Sequence, residues 1–426
     1  MEEKESGAAS PSFEFRSLGE EELEVWFDHL AFVFTQTPRN YFVSHWYNDP
    51  WRTVDGIFVA VDKNARDNKV VIASTVRVYC RKVYVRGTTF SMGGIGEVST
   101  KPQYRSMGLA SALLQKASTW MQHTGMVLGS LHTSNAIPFY KSLGWQSVPT
   151  VVHVYPLRRY ILPHHHENSQ EKAKVFFQRL FFKPQKRHEE KENKEEDEDE
   201  ENIWKQIQQI YRKYSGTHFN GTFDRDNEER EDQQQRIRSG NYWQQWVRYE
   251  LQQHRKAKMS ATFVIVEEAE ADHPQKIVQA YMTAYLPLKE ENAAEKSLYV
   301  QEFGAREEEF VKDGGRDAFV ALLKVISQAL LEEETEKEEA ERIKLVVPAA
   351  VEKHFRNMED EEGGTEREIR RDEGMMMKVV CDEQTCRTRM LEMGRQEKAD
   401  EAVTAKDLCE WMNHELPFLA WRTDAF

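Results

Sequence analysis

Cysteine is scarce in this chain, with four residues, Cys80, Cys381, Cys386 and Cys409, among 426. Their spacing matches no zinc pattern, and so few thiols in so long a chain exclude a disulfide scaffold and suit a reducing compartment. Long apolar runs are missing as well. The longest uncharged stretch, Ala117 to Tyr140, is interrupted by Gln122, His123, Asn135 and Pro138 and is too polar to span a bilayer. The opening residues Met-Glu-Glu-Lys-Glu-Ser lack the basic and then apolar profile of a secretory signal. A soluble protein of the cytoplasm, with the nucleus also open and no membrane partner, is the expectation. A basic excess is absent too: the formal charge is −14, of which the ten acidic and two basic residues between Glu189 and Glu201 supply −8. The rest is only mildly acidic, which argues against a nucleic-acid partner and leaves room for attraction of a cationic substrate.

What is present is material for packed cores. Hydrophobic residues make up 39%, with 22 Phe, 15 Tyr and 10 Trp, and the length suits two or three domains. Composition divides the chain into a disordered start (1–12), a first domain (13–158), an acidic linker (159–202), a second domain (203–382) and a tail (383–426). In the first domain a strand at Phe13–Arg16 precedes a helix carrying Leu23, Trp26, Phe27, Leu30 and Phe34 on one stripe. Strands follow at Gly56–Asp62, Val70–Tyr79 with an extension to Val85, and Phe90–Thr100. Next come a helix from about Met107 to Gln122, a strand at Met126–His132, a helix at Asn135–Ser142 and a strand at Thr150–Tyr155. Within the linker, Val175–Phe182 reads as a short apolar helix. Three adjacent histidines, 164–166, point apart on an extended chain, so no metal site is expected. The second domain repeats the order of the first, with helices at Trp204–Tyr214 and Asn241–Leu251, and strands at Ala261–Val266, Ile277–Leu286 and Leu298–Phe303. A helix at Ala318–Leu331 and strands at Lys344–Val347 and Met375–Val380 complete it. The series predicts an α+β chain of two tandem, similarly built lobes.

Chemistry concentrates in Gly93-Gly-Ile-Gly-Glu-Val-Ser-Thr-Lys-Pro-Gln-Tyr-Arg-Ser-Met-Gly-Leu-Ala110, a strand turning directly into the start of an amphipathic helix. Free backbone N–H groups at a helix start, aided by its dipole, bind an anion, and Gly108 allows a diphosphate close to the main chain. Arg105-Ser-Met-Gly108-Leu-Ala110 resembles the acyl-CoA loop of the GNAT superfamily. Asn135 followed by Phe139-Tyr140-Lys-Ser-Leu-Gly144-Trp145 resembles that family's second motif. The resemblance implies a mixed, splayed sheet flanked by helices and acetyl-CoA as co-substrate. It assigns main-chain pairing with the pantetheine arm to Val98, Ser99 and Thr100. Arg105, Ser106, Met107, Gly108, Leu109, Ala110 and Ser111 would hold the diphosphate, and Asn135 would touch the cofactor near its thiol.

It further assigns Tyr140 as the acid that protonates the departing thiolate. Glu97 is the candidate base that takes the amine proton, with His132 weaker. Because side chains alternate along a strand, either Glu97 or Val98 faces the cleft. Tandem lobes followed by a terminal Phe also resemble the Eis type of acetyltransferase, and a two-lobed fungal lysine acetyltransferase family equally. The Eis resemblance implies that the tail docks near the active site with the Phe426 carboxylate as proton acceptor. In the second lobe no glycine loop precedes the helix at Ala318, and acidic residues follow the strand Leu298–Gly304. That lobe is expected to bind no CoA and to shape the acceptor pocket. The implied function is N-acetylation of a primary amine, small and cationic or lysine-like. The alternatives are a protein lysine or N-terminal acetyltransferase and a non-catalytic acyl-CoA sensor.

Overall fold

The computed structural model describes residues 12–65, 69–85, 87–157, 175–180, 194–218, 225, 242–247, 249, 259–268, 276–287, 296–313, 315–333, 343–352, 368–382, 384, 385 and 388. Phe426 with the tail from residue 389 onward, and the three adjacent histidines, lie outside the described residues.

Two seven-stranded sheets form the frame. In the first, β1 (Phe13–Ser17), β2 (Ile57–Asp62), β3 (Ile72–Val85) and β4 (Thr88–Thr100) are antiparallel neighbours, and β4 then pairs in parallel with β5 (Leu128–His132). The sheet continues through β14 (Met375–Val379) to β6 (Gln146–Ser147). The second sheet runs β8 (Val175–Leu180), β9 (Met259–Glu268), β10 (Lys276–Leu286), β11 (Ser297–Ala305), β12 (Lys344–Pro348), β7 (Thr150–Pro156) and β13 (Glu368–Asp372). Position by position the two sheets follow one plan. The parallel pair is β4 with β5 in one sheet and β11 with β12 in the other.

The plan includes an exchange. β7, expected to close the first lobe, lies antiparallel beside β12 in the second sheet, and β14, expected to close the second, lies antiparallel beside β5 in the first. Each strand fills the same place in the other lobe's sheet, so the hydrophobic pattern of each is satisfied equally well there. Two further expectations are corrected. Val175–Leu180 is a strand, consistent with its β-branched and aromatic residues. The helix expected from Trp204 spans Lys194–His218, so part of the acidic run lies within its first turns.

Helix α1 (Leu23–Val33) and α2 (Arg39–Asn48) cover one face of the first sheet around Trp26, Phe27, Leu30, Phe42 and Trp46. Helix α3 (Leu109–His123) covers the other. It sends Leu109, Leu113, Leu114, Ala117 and Met121 inward to meet Val76, Val78 and Ile95. Each fully buried leucine there contributes about 1.5–3 kcal/mol. Helix α4 (Ile137–Ser142) extends that layer with Tyr140. Beyond α1 and α2, the second lobe takes over the first face. Tyr79, Val83, Phe90 and Met92 share a core with Tyr211, Trp246 and Phe303. No helix among the described residues is long and apolar enough to cross a membrane.

Candidate active site

β4 and β5 are hydrogen-bonded only from Met92 to Gly94 on the β4 side, and beyond Gly94 they diverge. Beyond Gly94 the edge of β4 therefore offers an extended ligand main-chain groups that β5 does not pair. At its end the chain turns through Arg105–Gly108, with Ser106 and Gly108 in the left-handed region at φ 64° and 75°. Gly108 caps α3, and a methyl group built on it would meet nothing within 4 Å, so open space lies over the first, unpaired amides of the helix. This is a cradle for a phosphate group. Arg105 is exposed and donates from Nε to the Thr100 carbonyl at 3.3 Å, which places its charge beside the cradle. Met107 is exposed, Ser111 is half-buried and Leu109 anchors the helix in the core.

Val98 packs in the apolar layer with Leu109 and Tyr140. Ser99, on the opposite face, is fixed by a residue not foreseen from the sequence, His29 of α1. The His29 ring bonds the Ile72 carbonyl through Nδ1 (3.0 Å) and Ser99 Oγ through Nε2 (3.0 Å). A carbonyl only accepts, so Nδ1 carries the proton and Nε2 accepts from Ser99. Burial holds the imidazole pKa down at about 4, which keeps this tautomer neutral. The available signal was a histidine set among the stripe residues Trp26, Phe27 and Leu30.

Tyr140 is almost wholly buried, edge-on to Phe139 and Trp145. Burial alone raises its pKa to about 12, with no charged or hydrogen-bonding neighbour contributing, so it holds its proton at neutral pH. Asn135 is exposed in the turn before α4. His132 is exposed and paired with Asp372 through Nε2 at 2.7 Å, which ties it to the β13–β14 turn.

Glu97 owes its direction to a bulge. Arg77 stands opposite Gly96 and Thr75 opposite Ser99, so Glu97 and Val98 together face the single residue Val76. The extra residue, Glu97 at φ 53°, shares a face with Gly96 instead of alternating with it. Gly96 itself is required, because a Cβ there would lie 2.7 Å from the Tyr79 ring. The Glu97 carboxylate accepts from Tyr79 OH (3.1 Å), with Arg77 Nη1 at 3.5 Å and His45 Nδ1 at 3.8 Å. Its second oxygen, Oε2, is buried without a hydrogen-bond partner. Glu97 and Tyr140 thus lie on opposite faces of the sheet, and the divergence of β4 from β5 is where the two faces communicate.

Around Glu97 the buried charges cancel. Asp49 accepts from Arg77 Nη2 (2.9 Å) and Arg81 Nη1 (3.0 Å). Arg81 is boxed by the rings of Trp51, Tyr79, Tyr242 and Trp246, with its guanidinium carbon 4.9–5.6 Å from their centres. Two of those rings come from the second lobe, which therefore closes over this side of the site.

The second lobe repeats the frame without the opening. Glu302 lies three residues past the parallel pairing on β11, as Glu97 does on β4. Arg225 neutralises both its oxygens (3.2 and 2.6 Å), and Tyr281 OH donates to it at 2.7 Å. Contrary to the sequence expectation, a glycine does precede the helix here. That helix begins at Arg316, directly after Gly315 at φ 81°. Space is what differs: a Cβ on Gly315 would meet Ala305 at 3.3 Å and Phe303 at 3.5 Å. The ground that is open at Gly108 is filled at Gly315, and the intervening helix Glu307–Asp313 begins with three glutamates.

The acetyltransferase (GNAT) domain family model matches residues 14–148, ending just before the exchanged strand β7. No curated protein sequence matches the chain. Among solved structures, it is similar to a probable N-acyltransferase of Enterococcus faecalis V583, at 15% identity and TM-score 0.55 over 88% of this chain and 74% of that one. It is also similar to a GCN5-related N-acetyltransferase of Anabaena variabilis, at 14% identity and TM-score 0.53 over 87% and 73%. Eis1 of Mycobacterium abscessus aligns at 12% identity and TM-score 0.49 over 87% and 74%. The divergent strand pair, the glycine-capped helix and the family match agree: residues 14–148 are a GNAT acetyltransferase domain. Over the chain as a whole, the likeness to these solved structures is one of fold, with the family match confined to the first lobe.

Proposed function

We propose that the chain transfers an acetyl group directly from acetyl-CoA to a small, cationic primary amine. The observation that carries this reading is the divergence of β4 from β5 beside the open helix start at Gly108, with the protonated Tyr140 on the adjoining layer. The amides of Leu109, Ala110 and Ser111 would hold the diphosphate, and the free edge of β4 at Val98–Thr100 would pair with the pantetheine arm. Asn135 would approach the thiol end. Main-chain N–H groups near Val98 would polarise the thioester carbonyl, and positioning of the amine would supply much of the rate. Tyr140 would give its proton to the leaving thiolate, whose own pKa rises in the same buried surroundings. Glu97 would take the proton from the amine, with the Phe426 carboxylate as the second candidate. The second lobe favours a small acceptor over a polypeptide, since Trp246 packs 4.6 Å from the His45 ring and encloses the Glu97 side.

Thiol release from acetyl-CoA, measured with lysine, polyamines, aminoglycosides and a lysine peptide, tests the reading. Turnover of a small amine is expected, falling about 10²-fold or more in Tyr140→Phe. A chain lacking Ala425 and Phe426 decides between the two bases. Binding of acetyl-CoA with no turnover of any small amine would overturn the proposal.

A further inference from the structure

One hydroxyl in the first lobe bridges a carboxylate and an imidazole. Tyr79 OH lies 3.1 Å from Glu97 Oε1 and 3.0 Å from His45 Nδ1, and Arg77 Nη1 donates to it at 3.2 Å. Tyr79 is fully buried, whereas the side chains of Glu97 and His45 keep 8% and 5% of their surface exposed. Both ends of the bridge therefore touch solvent-accessible space and its middle does not. The His45 ring stacks 5.1 Å from Tyr41 of its own helix and lies tilted 4.6 Å from Trp246 of the second lobe. Tyr41 is exposed at the surface, so only its ring stands between the stacked face of His45 and solvent.

We infer that Tyr79 and His45 form a proton exit for Glu97, carrying the amine proton through the first lobe to solvent beside Tyr41. The inference rests on Glu97 as base in the proposed reaction. In the His45 tautomer that carries its proton on Nε2, Nδ1 is free to accept; when Glu97 takes the amine proton it becomes the donor to Tyr79, whose own hydroxyl proton turns from Glu97 to His45 Nδ1. Glu97 is left ionised, Tyr79 neutral and His45 an imidazolium, which returns one proton to water. No charge accumulates and no other reactant is needed. Burial lowers the His45 pKa below its usual value, so the imidazolium is short-lived and the exit resets. Among the described residues, the charged and titratable groups facing His45 include Glu97, Arg77 and Asp49, with Tyr41, Tyr79 and Tyr249 around its ring. Burial also raises the Tyr79 pKa far above its ordinary value, so Tyr79 relays a proton and never rests as phenolate.

The test compares full-length wild type with His45→Gln and Tyr79→Phe. His45→Gln keeps a polar group in place without a titrating ring, and a thermal melt establishes that each variant is folded. The expected result is a 10- to 100-fold lower kcat, an unchanged KM for acetyl-CoA, an acid limb of the pH profile displaced from wild type, and partial restoration by added imidazole in His45→Gln. Wild-type kcat and pH profile in His45→Gln would overturn the relay and leave the acetyltransferase reading standing. Loss of acetyl-CoA affinity with no imidazole effect would reduce both residues to a structural role and overturn it too. If wild type acetylates no amine, the proposed reaction fails first, and the relay with it.

Discussion

The two lobes share strand order, parallel pair, a helix started by a left-handed glycine and a glutamate three residues past the pairing, yet one is open and the other is closed. In the first, Glu97 keeps an unpartnered oxygen and the ground over Gly108 is empty. In the second, Arg225 occupies both oxygens of Glu302, and Phe303 with Ala305 fills the ground at Gly315. A site on this frame is thus made by what is left unfilled. The frame alone does not supply it.

The sharpest way to break this comparison is to make the same substitution in both lobes. Glu97→Gln is expected to lower kcat about 10²- to 10⁴-fold with the fold retained. Glu302→Gln leaves Arg225 as an uncompensated buried charge and is expected to cost about 3–5 kcal/mol of stability, seen in urea unfolding, with turnover per folded molecule unchanged. The opposite pattern would end the assignment of roles.

Acid sharpens the comparison next, because each lobe holds a histidine kept neutral by burial, His29 and His218, both held down at about 4. A depressed histidine pKa means that the unfolded chain binds the proton first. Stability is complete above about pH 6.5 and is lost as the pH falls toward 4. For His29, whose ring is almost fully enclosed, the loss reaches about 3 kcal/mol. Thermal melts from pH 7 to 4 should fall less steeply in His29→Gln than in wild type.

The smallest effects are expected at the glycines. An alanine in the left-handed region costs about 1–2 kcal/mol. Gly108→Ala is expected to weaken acetyl-CoA binding measured by calorimetry, while Gly315→Ala lowers the melting temperature and leaves that binding unchanged.

Much of this was legible in the sequence. The tandem order of strands and helices followed from hydrophobic periodicity, and the turn at Arg105–Gly108 from glycine and helix-start chemistry. The direction of Glu97 was not legible, because it depends on an extra residue in β4 that no side-chain pattern announces. Nor was the exchange of β7 and β14, since a strand's alternation says which face is buried and is silent about whose sheet it joins. His29 was hidden by its own setting, a polar ring among the apolar residues Trp26, Phe27 and Leu30. Gly315 was missed because the helix after it begins at Arg316, earlier than its apolar stripe suggested.

The exchanged strands also govern how the chain comes into being. His132 at the end of β5 bonds Asp372, 240 residues further along, and β14 follows directly. A ribosome that has released the whole family-matched segment has not yet made the strand that completes its sheet. The first lobe must wait with one edge of β5 bare, and such an edge is where non-native pairing begins. Contacts of such long range slow folding, and a gene cut between the lobes should yield two insoluble halves that recover only when produced together.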